Sequence, residues 1–261
     1  MSIAIFGDSH AGRIKRSWDR TVKNDDRWVT QWFIQRSMGE YPMRFAPSVH
    51  DNPQELTDLL LVDPNVFIAD QHASVLVVGM GPSMQIAMEL AEQFHHPDLP
   101  LGATRSMTRK TWESALTDIF VSSAAGRVLG KIRDVAPQIP VTYVPQVRPM
   151  LWVNSRDGHI KSWSQSLVGV GADIQNLYSC ALEQFAVRFS VDVLDQPPST
   201  IEYDAWTNPH YGFATYGDDT DQYWVRGDYF HSNDAYATVL IDHLRTRSEQ
   251  FQDLPAAHQW T

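Results

Sequence analysis

Three short stretches of this sequence carry residue types that can do chemistry. Near the start, Gly7-Asp8-Ser9-His10-Ala11 follows an apolar run at Ile3–Phe6. A serine hydroxyl presented at a turn becomes a nucleophile once a base takes its proton. An aspartate and a histidine two residues apart can instead ligate a metal that makes hydroxide. Near the other end, Asp228 stands three residues before His231, just ahead of a segment with helical spacing that begins near Asp234 and that Ser232 or Asn233 can cap. A carboxylate that close can accept an imidazole Nδ1–H, fix the tautomer and stabilise the imidazolium. In the middle, Gly79-Met80-Gly81-Pro82-Ser83 ends another apolar run. Its glycines need no role beyond a turn, and Gly39, in the stretch after Ile34, admits the same plain reading.

Positioning these residues falls to a set of alternating elements. Apolar runs recur at 3–6, 28–34, 75–80, 141–144 and 191–194, and several lack strict alternation, as strands buried on both faces should. Between them lie helical stripes: Met84–Phe94, one stripe from Thr111 to Val135, Leu167–Phe189, and Asp234–Arg247. This order predicts an α/β chain with a mostly parallel, about five-stranded sheet covered on both faces, folded as one domain over residues 1–261. In such sheets ligands bind beyond the carboxyl ends of the strands, so the loops after Phe6, Ile34, Val78 and Leu194 matter most. The last opens a long segment, 195–227, rich in rings. It includes Tyr203, Trp206, His210, Tyr211 and Phe213, which can wall a pocket for sugars or acyl chains or simply pack the loop.

Gly7-Asp8-Ser9 after the first strand and Asp228-x-x-His231 before the last helix resemble the end blocks of the SGNH/GDSL hydrolases. The element order along the whole chain is similar too, although only these short blocks match. The resemblance implies a three-layer α/β/α, flavodoxin-like fold, with Ser9 as nucleophile, His231 as general acid/base and Asp228 as its orienting partner. It implies an oxyanion site built from the Ser9 N–H, a glycine N–H after the second strand, for which Gly39 is the candidate, and a side-chain amide from a Gly-x-Asn block after the third. Here that block reads Gly79-Met80-Gly81, without asparagine. Gly81 and Ser83 are the local candidates to donate instead. Loss of one oxyanion donor costs roughly 10²–10³ in rate, so the departure bears directly on efficiency. The expected activity is ester hydrolysis or acyl transfer through an acyl-serine, needing no cofactor or metal. The substrate would be a small-molecule or glycan ester, with deacetylation of a sugar as one candidate.

Two other classes compete. Calcineurin-like metallophosphoesterases also begin with Asp-x-His, which Asp8 and His10 satisfy. Their downstream blocks are missing: Gly217-Asp218-Asp219-Thr220-Asp221 comes far too late, and neither Gly-Asn-His nor Gly-His-x-His occurs. His95-His96 with Asp98 reads as a solvated helix end, since Pro97 interrupts any helix there. A non-catalytic binding module on the same scaffold is the second competitor, motivated by the missing asparagine. The 261 residues, 43% hydrophobic, can build a sizeable core, and a net charge of −10 argues against nucleic acid as partner. The lone Cys180 fits a reducing compartment and reads as a small buried hydrophobe. With no apolar run near the ~20 residues of a bilayer span and no leader pattern, the expected setting is cytoplasmic, with no membrane insertion.

Overall fold

The computed structural model describes residues 1–22, 25–35, 45–47, 72–93, 107–150, 168–212 and 231–257. Strand β1 (Ser2–Gly7) lies at the centre of a six-stranded sheet whose other members are β2 (Val29–Gln35), β3 (Phe45–Pro47), β4 (Ser74–Val78), β5 (Val141–Val144) and β6 (Asp192–Val193). The spatial order is β3-β2-β1-β4-β5-β6, and every neighbouring pair is parallel except β2 with β3. The five parallel strands therefore follow the doubly wound 2-1-3-4-5 order of flavodoxin-like sheets, and the α/β expectation holds. The antiparallel edge strand β3 is an addition that three residues of sequence did not announce.

Helix α1 (Ser9–Val22) connects β1 to β2. On the other side of β4 the described helices are α2 (Met84–Gln93), α3 (Arg109–Ser122), α4 (Ala124–Val135) and α5 (Gly171–Phe189), and α6 (Asp234–Arg247) follows near the end. Successive strand residues point to opposite faces, and both faces are covered. Ile3, Ile5, Leu76 and Val78 pack under α1 and α6, while Ala4, Phe6, Val75 and Val77 pack under α2–α5. That is why β1 and β4 read as nearly unbroken apolar runs.

The stripe from Thr111 to Val135 is two helices rather than one. Ser123 ends α3 and caps α4, its Oγ accepting the Gly126 N–H at 3.2 Å. The start of the segment 195–227 is also more built than a loop. Strands β7 (Ile201–Glu202) and β8 (Trp206–Thr207) form a small hairpin. Arg148 ties it to the end of β5: its guanidinium reaches the Asp204 carbonyl and bonds the Asp195 carboxylate at 2.8 Å. Trp206 is 1% exposed and belongs to the core, so it walls no pocket. Cys180 is only partly buried. Among the described residues no helix is long and apolar enough to cross a membrane.

Candidate functional site

Strand order reverses between β1 and β4, and the turns leaving these two strands are locked together by Asp8. Its 2%-exposed carboxylate accepts the His10 N–H at 2.9 Å, capping α1, and the Met80 N–H at 2.9 Å, holding the β4 turn. With each oxygen taking a backbone donor, Asp8 is committed to the turn that presents Ser9. The β4 turn needs this help. Gly79, Met80 and Gly81 have φ of +72°, +63° and +138°, a run that L side chains resist. Met80 tolerates it with its side chain wholly buried and its carbonyl accepting the Ala125 N–H at 2.9 Å. A Cβ on Gly79 would fall 2.6 Å from Asp8 Oδ1. Tyr143 closes the turn from behind, its hydroxyl donating to the Gly79 carbonyl at 3.0 Å. Burial pushes that phenol well above its ordinary range, so it stays a neutral donor.

Ser9 is exposed at the first position of α1. His231, half-buried, reaches it from 222 residues away, with Nε2 and Ser9 Oγ 2.8 Å apart. The backbone delivering His231 is anchored. Asn233 caps α6 through the Tyr236 N–H at 3.0 Å, and its amide donates to the carbonyls of His210 and Gly212 at 2.7 and 2.8 Å. Ser232 pairs with Gly212, and the Asn233 N–H meets the Tyr211 carbonyl at 3.0 Å. This is where His210 and Tyr211 serve: they belong to the strut that holds the histidine.

The remaining expected residues divide. Gly81 lies in the β4 turn, and neither its N–H nor that of Ser9 meets an acceptor among the described residues. Ser83 is buried, and its Oγ accepts the Ile86 N–H at 3.4 Å in the first turn of α2. Asp228 and Gly39, the rings from Phe213 to Phe230 and the His95-His96 pair lie outside the described residues. Two groups appear that the sequence reading left without a role. The His10 ring stacks on His231 with centroids 4.9 Å apart and planes 30° from parallel, and His10 Nε2 lies 2.7 Å from the Gln146 amide nitrogen. Gln146 sits in the turn after β5, at the one parallel-strand end inside the sheet that was not among the four junctions read for function. A separate groove of about 940 Å³ runs along the β6 edge past Arg148, Asp195 and His243, and neither Ser9 nor His231 lines it.

No protein-family model matches the chain, and no curated protein does. Among solved structures, a Lactobacillus plantarum structural-genomics target is similar over 94% of each chain, with 15% identity and a TM-score of 0.42. A candidate GDSL-like lipase from Bacteroides ovatus is similar over 98% of this chain and 55% of its own, with 10% identity and a TM-score of 0.42. Likeness at that level carries no argument about activity, which has to come from the site itself.

Proposed function

We propose that this protein is a serine-dependent ester hydrolase or acyltransferase of the SGNH type. The observation that carries the proposal is the 2.8 Å contact between Ser9 Oγ and His231 Nε2, made at the switch point of the sheet by residues from opposite ends of the chain. In this reading Ser9 Oγ attacks the acyl carbonyl while its proton passes to His231 Nε2. The carbonyl oxygen becomes an oxyanion next to the α1 N-terminus, where the Ser9 N–H and the helix dipole favour negative charge. The Gly81 N–H in the β4 turn serves as the second donor in this reading, and the Gly39 N–H, from the family resemblance, would be a third. His231 then returns the proton to the leaving alkoxide, the acyl–oxygen bond breaks, and acyl-Ser9 remains. Water or an acceptor alcohol repeats the sequence to release the acyl group, with Asp228 assigned to the Nδ1 side of His231. The substrate class is a small O-acyl ester, including O-acetylated sugars.

The test is hydrolysis of a short-chain chromogenic ester by the wild type, Ser9→Ala and His231→Ala, with EDTA in parallel. Each variant should lose at least about a thousandfold in kcat, and EDTA should change nothing. Activity surviving Ser9→Ala but lost in EDTA would overturn the assignment. A folded protein with neither ester activity nor serine labelling by a fluorophosphonate would favour the binding module, which the side-chain-free Gly81 motivates.

A further inference from the structure

We propose that His10 and Gln146 form a positioning pair for His231, an inference that rests on the serine–histidine reading above. His231 has to turn from neutral imidazole to imidazolium as Ser9 attacks, and a ring with that task needs a fixed plane and a neighbour that tolerates the new charge. His10 meets both needs. It projects from the second position of α1, 5% exposed, and its ring covers a face of His231 at 4.9 Å. That separation lies within the ~6 Å over which a cation is attracted to an aromatic face, provided His10 is itself neutral.

Gln146 supplies that condition. Its amide nitrogen is 2.7 Å from His10 Nε2; with the amide in this orientation the NH₂ donates and Nε2 accepts, which assigns the ring proton to Nδ1. A ring accepting at one nitrogen and protonated at the other is neutral, and the same bond stops it from swinging off His231. Gln146 is itself fixed against the β4 turn, its N–H reaching the Pro82 carbonyl at 3.3 Å. The turns after β1 and β5 and the segment entering α6 thus meet in one chain of contacts, Gln146 to His10, His10 to His231 and His231 to Ser9, with the β4 turn supporting Gln146. A merely space-filling core histidine would need neither the stack on His231 nor the amide at the mouth of the next strand.

The test measures inactivation by a fluorophosphonate probe, which reports Ser9 reactivity with no natural substrate required and separates kinact from KI. Wild type, Ser9→Ala, His10→Ala, His10→Phe, Gln146→Leu and the His10→Phe/Gln146→Leu double variant are compared. His10→Ala should lower kinact about tenfold with KI unchanged, and the phenyl ring of His10→Phe should recover most of that loss. Gln146→Leu should lower kinact about threefold in the wild type and have no effect in the His10→Phe background, where no tautomer is left to fix. Wild-type kinact in His10→Ala, a His10→Phe as slow as His10→Ala, or an equal Gln146→Leu effect in both backgrounds would each overturn the proposal with the serine mechanism intact. If His10→Ala does not fold, the Gln146 comparison decides alone. Absent wild-type labelling, or labelling that persists in Ser9→Ala, would instead sink the serine reading on which the pair depends.

Discussion

Asp8 has to satisfy two backbone donors at once, and only a carboxylate does so at that place. Asparagine has the same shape but one acceptor oxygen, so Asp8→Asn would turn an NH₂ toward either His10 N–H or Met80 N–H. A buried donor left unpaired costs about 1–3 kcal/mol, whether the bond lost is the α1 cap at His10 or the one that holds the positive φ of Met80. The unfolding free energy of Asp8→Asn in urea should fall by that amount, with the m-value unchanged and the midpoint lowered in proportion, and ester turnover should fall with it as Ser9 loses its fixed turn. An unchanged midpoint would mean that the two N–H groups find other partners. In the sequence Asp8 was legible only as a metal ligand without its downstream partners, whereas Ser9 and His231 stood out through their places after the first and last strands. Gln146 left no such mark. A glutamine in Val144-Pro145-Gln146-Val147 has no signature of its own, and only reading the carboxyl end of every parallel strand would have singled it out.

At the scale of elements, the turn after β4 and the α3–α4 junction are one packing unit. A Cβ on Gly81 would stand 2.5 Å from Ser123 Cβ, at a φ of +138° that L residues rarely adopt. The asparagine that the SGNH resemblance led us to expect therefore has no room here, because the residue that breaks the two helices fills its place. Gly81→Asn should destabilise the protein by about 2–4 kcal/mol, lowering the thermal midpoint, and should not raise kcat toward the ester. A stable Gly81→Asn variant with faster turnover would show instead that the turn relaxes and the donor can be restored. The helix break was hidden in the sequence for a physical reason. Trp112, Leu116, Phe120, Ala124, Val128 and Ile132 follow one another at four-residue steps straight across the break, so the apolar stripe runs on along a single helical row. Only Ser122-Ser123 ahead of Ala124-Ala125-Gly126 marked the cap. Trp206 misled in the opposite way: in a hairpin of two-residue strands no periodicity exists to separate a core ring from a pocket ring.

Across the whole molecule, the doubly wound sheet brings Ser9, His10, Gln146 and His231 together at one end of its strands, where the proposed chemistry would lie. Apolar runs announced five parallel strands, but their spatial order follows from which face each crossover covers, a property of packing that no single run contains. Two histidines lie away from the Ser9–His231 end. His72 bonds the Ser2 hydroxyl at 2.8 Å where β1 begins, and His243 lies ten residues along α6 from its Asn233 cap, roughly 15 Å at 1.5 Å per residue. Partial burial lowers the pKa of each, with Arg247 adding to the effect at His243. Their folded states therefore bind protons less readily than the unfolded chain. Above the ordinary imidazole value near 6.5 both states are neutral and neither residue affects stability. As pH falls below it the unfolded chain takes up protons first, so stability declines until the folded-state values are passed. A His72→Gln/His243→Gln double variant, with neither residue titrating, should lose less unfolding free energy in urea between pH 7.5 and 5.5 than the wild type. Its Ser9 labelling at a fixed pH should match the wild type, since neither side chain contacts Ser9 or His231. An equal loss in both proteins would place the acid sensitivity in other groups, and a change in labelling would mean that the two ends of the sheet are coupled.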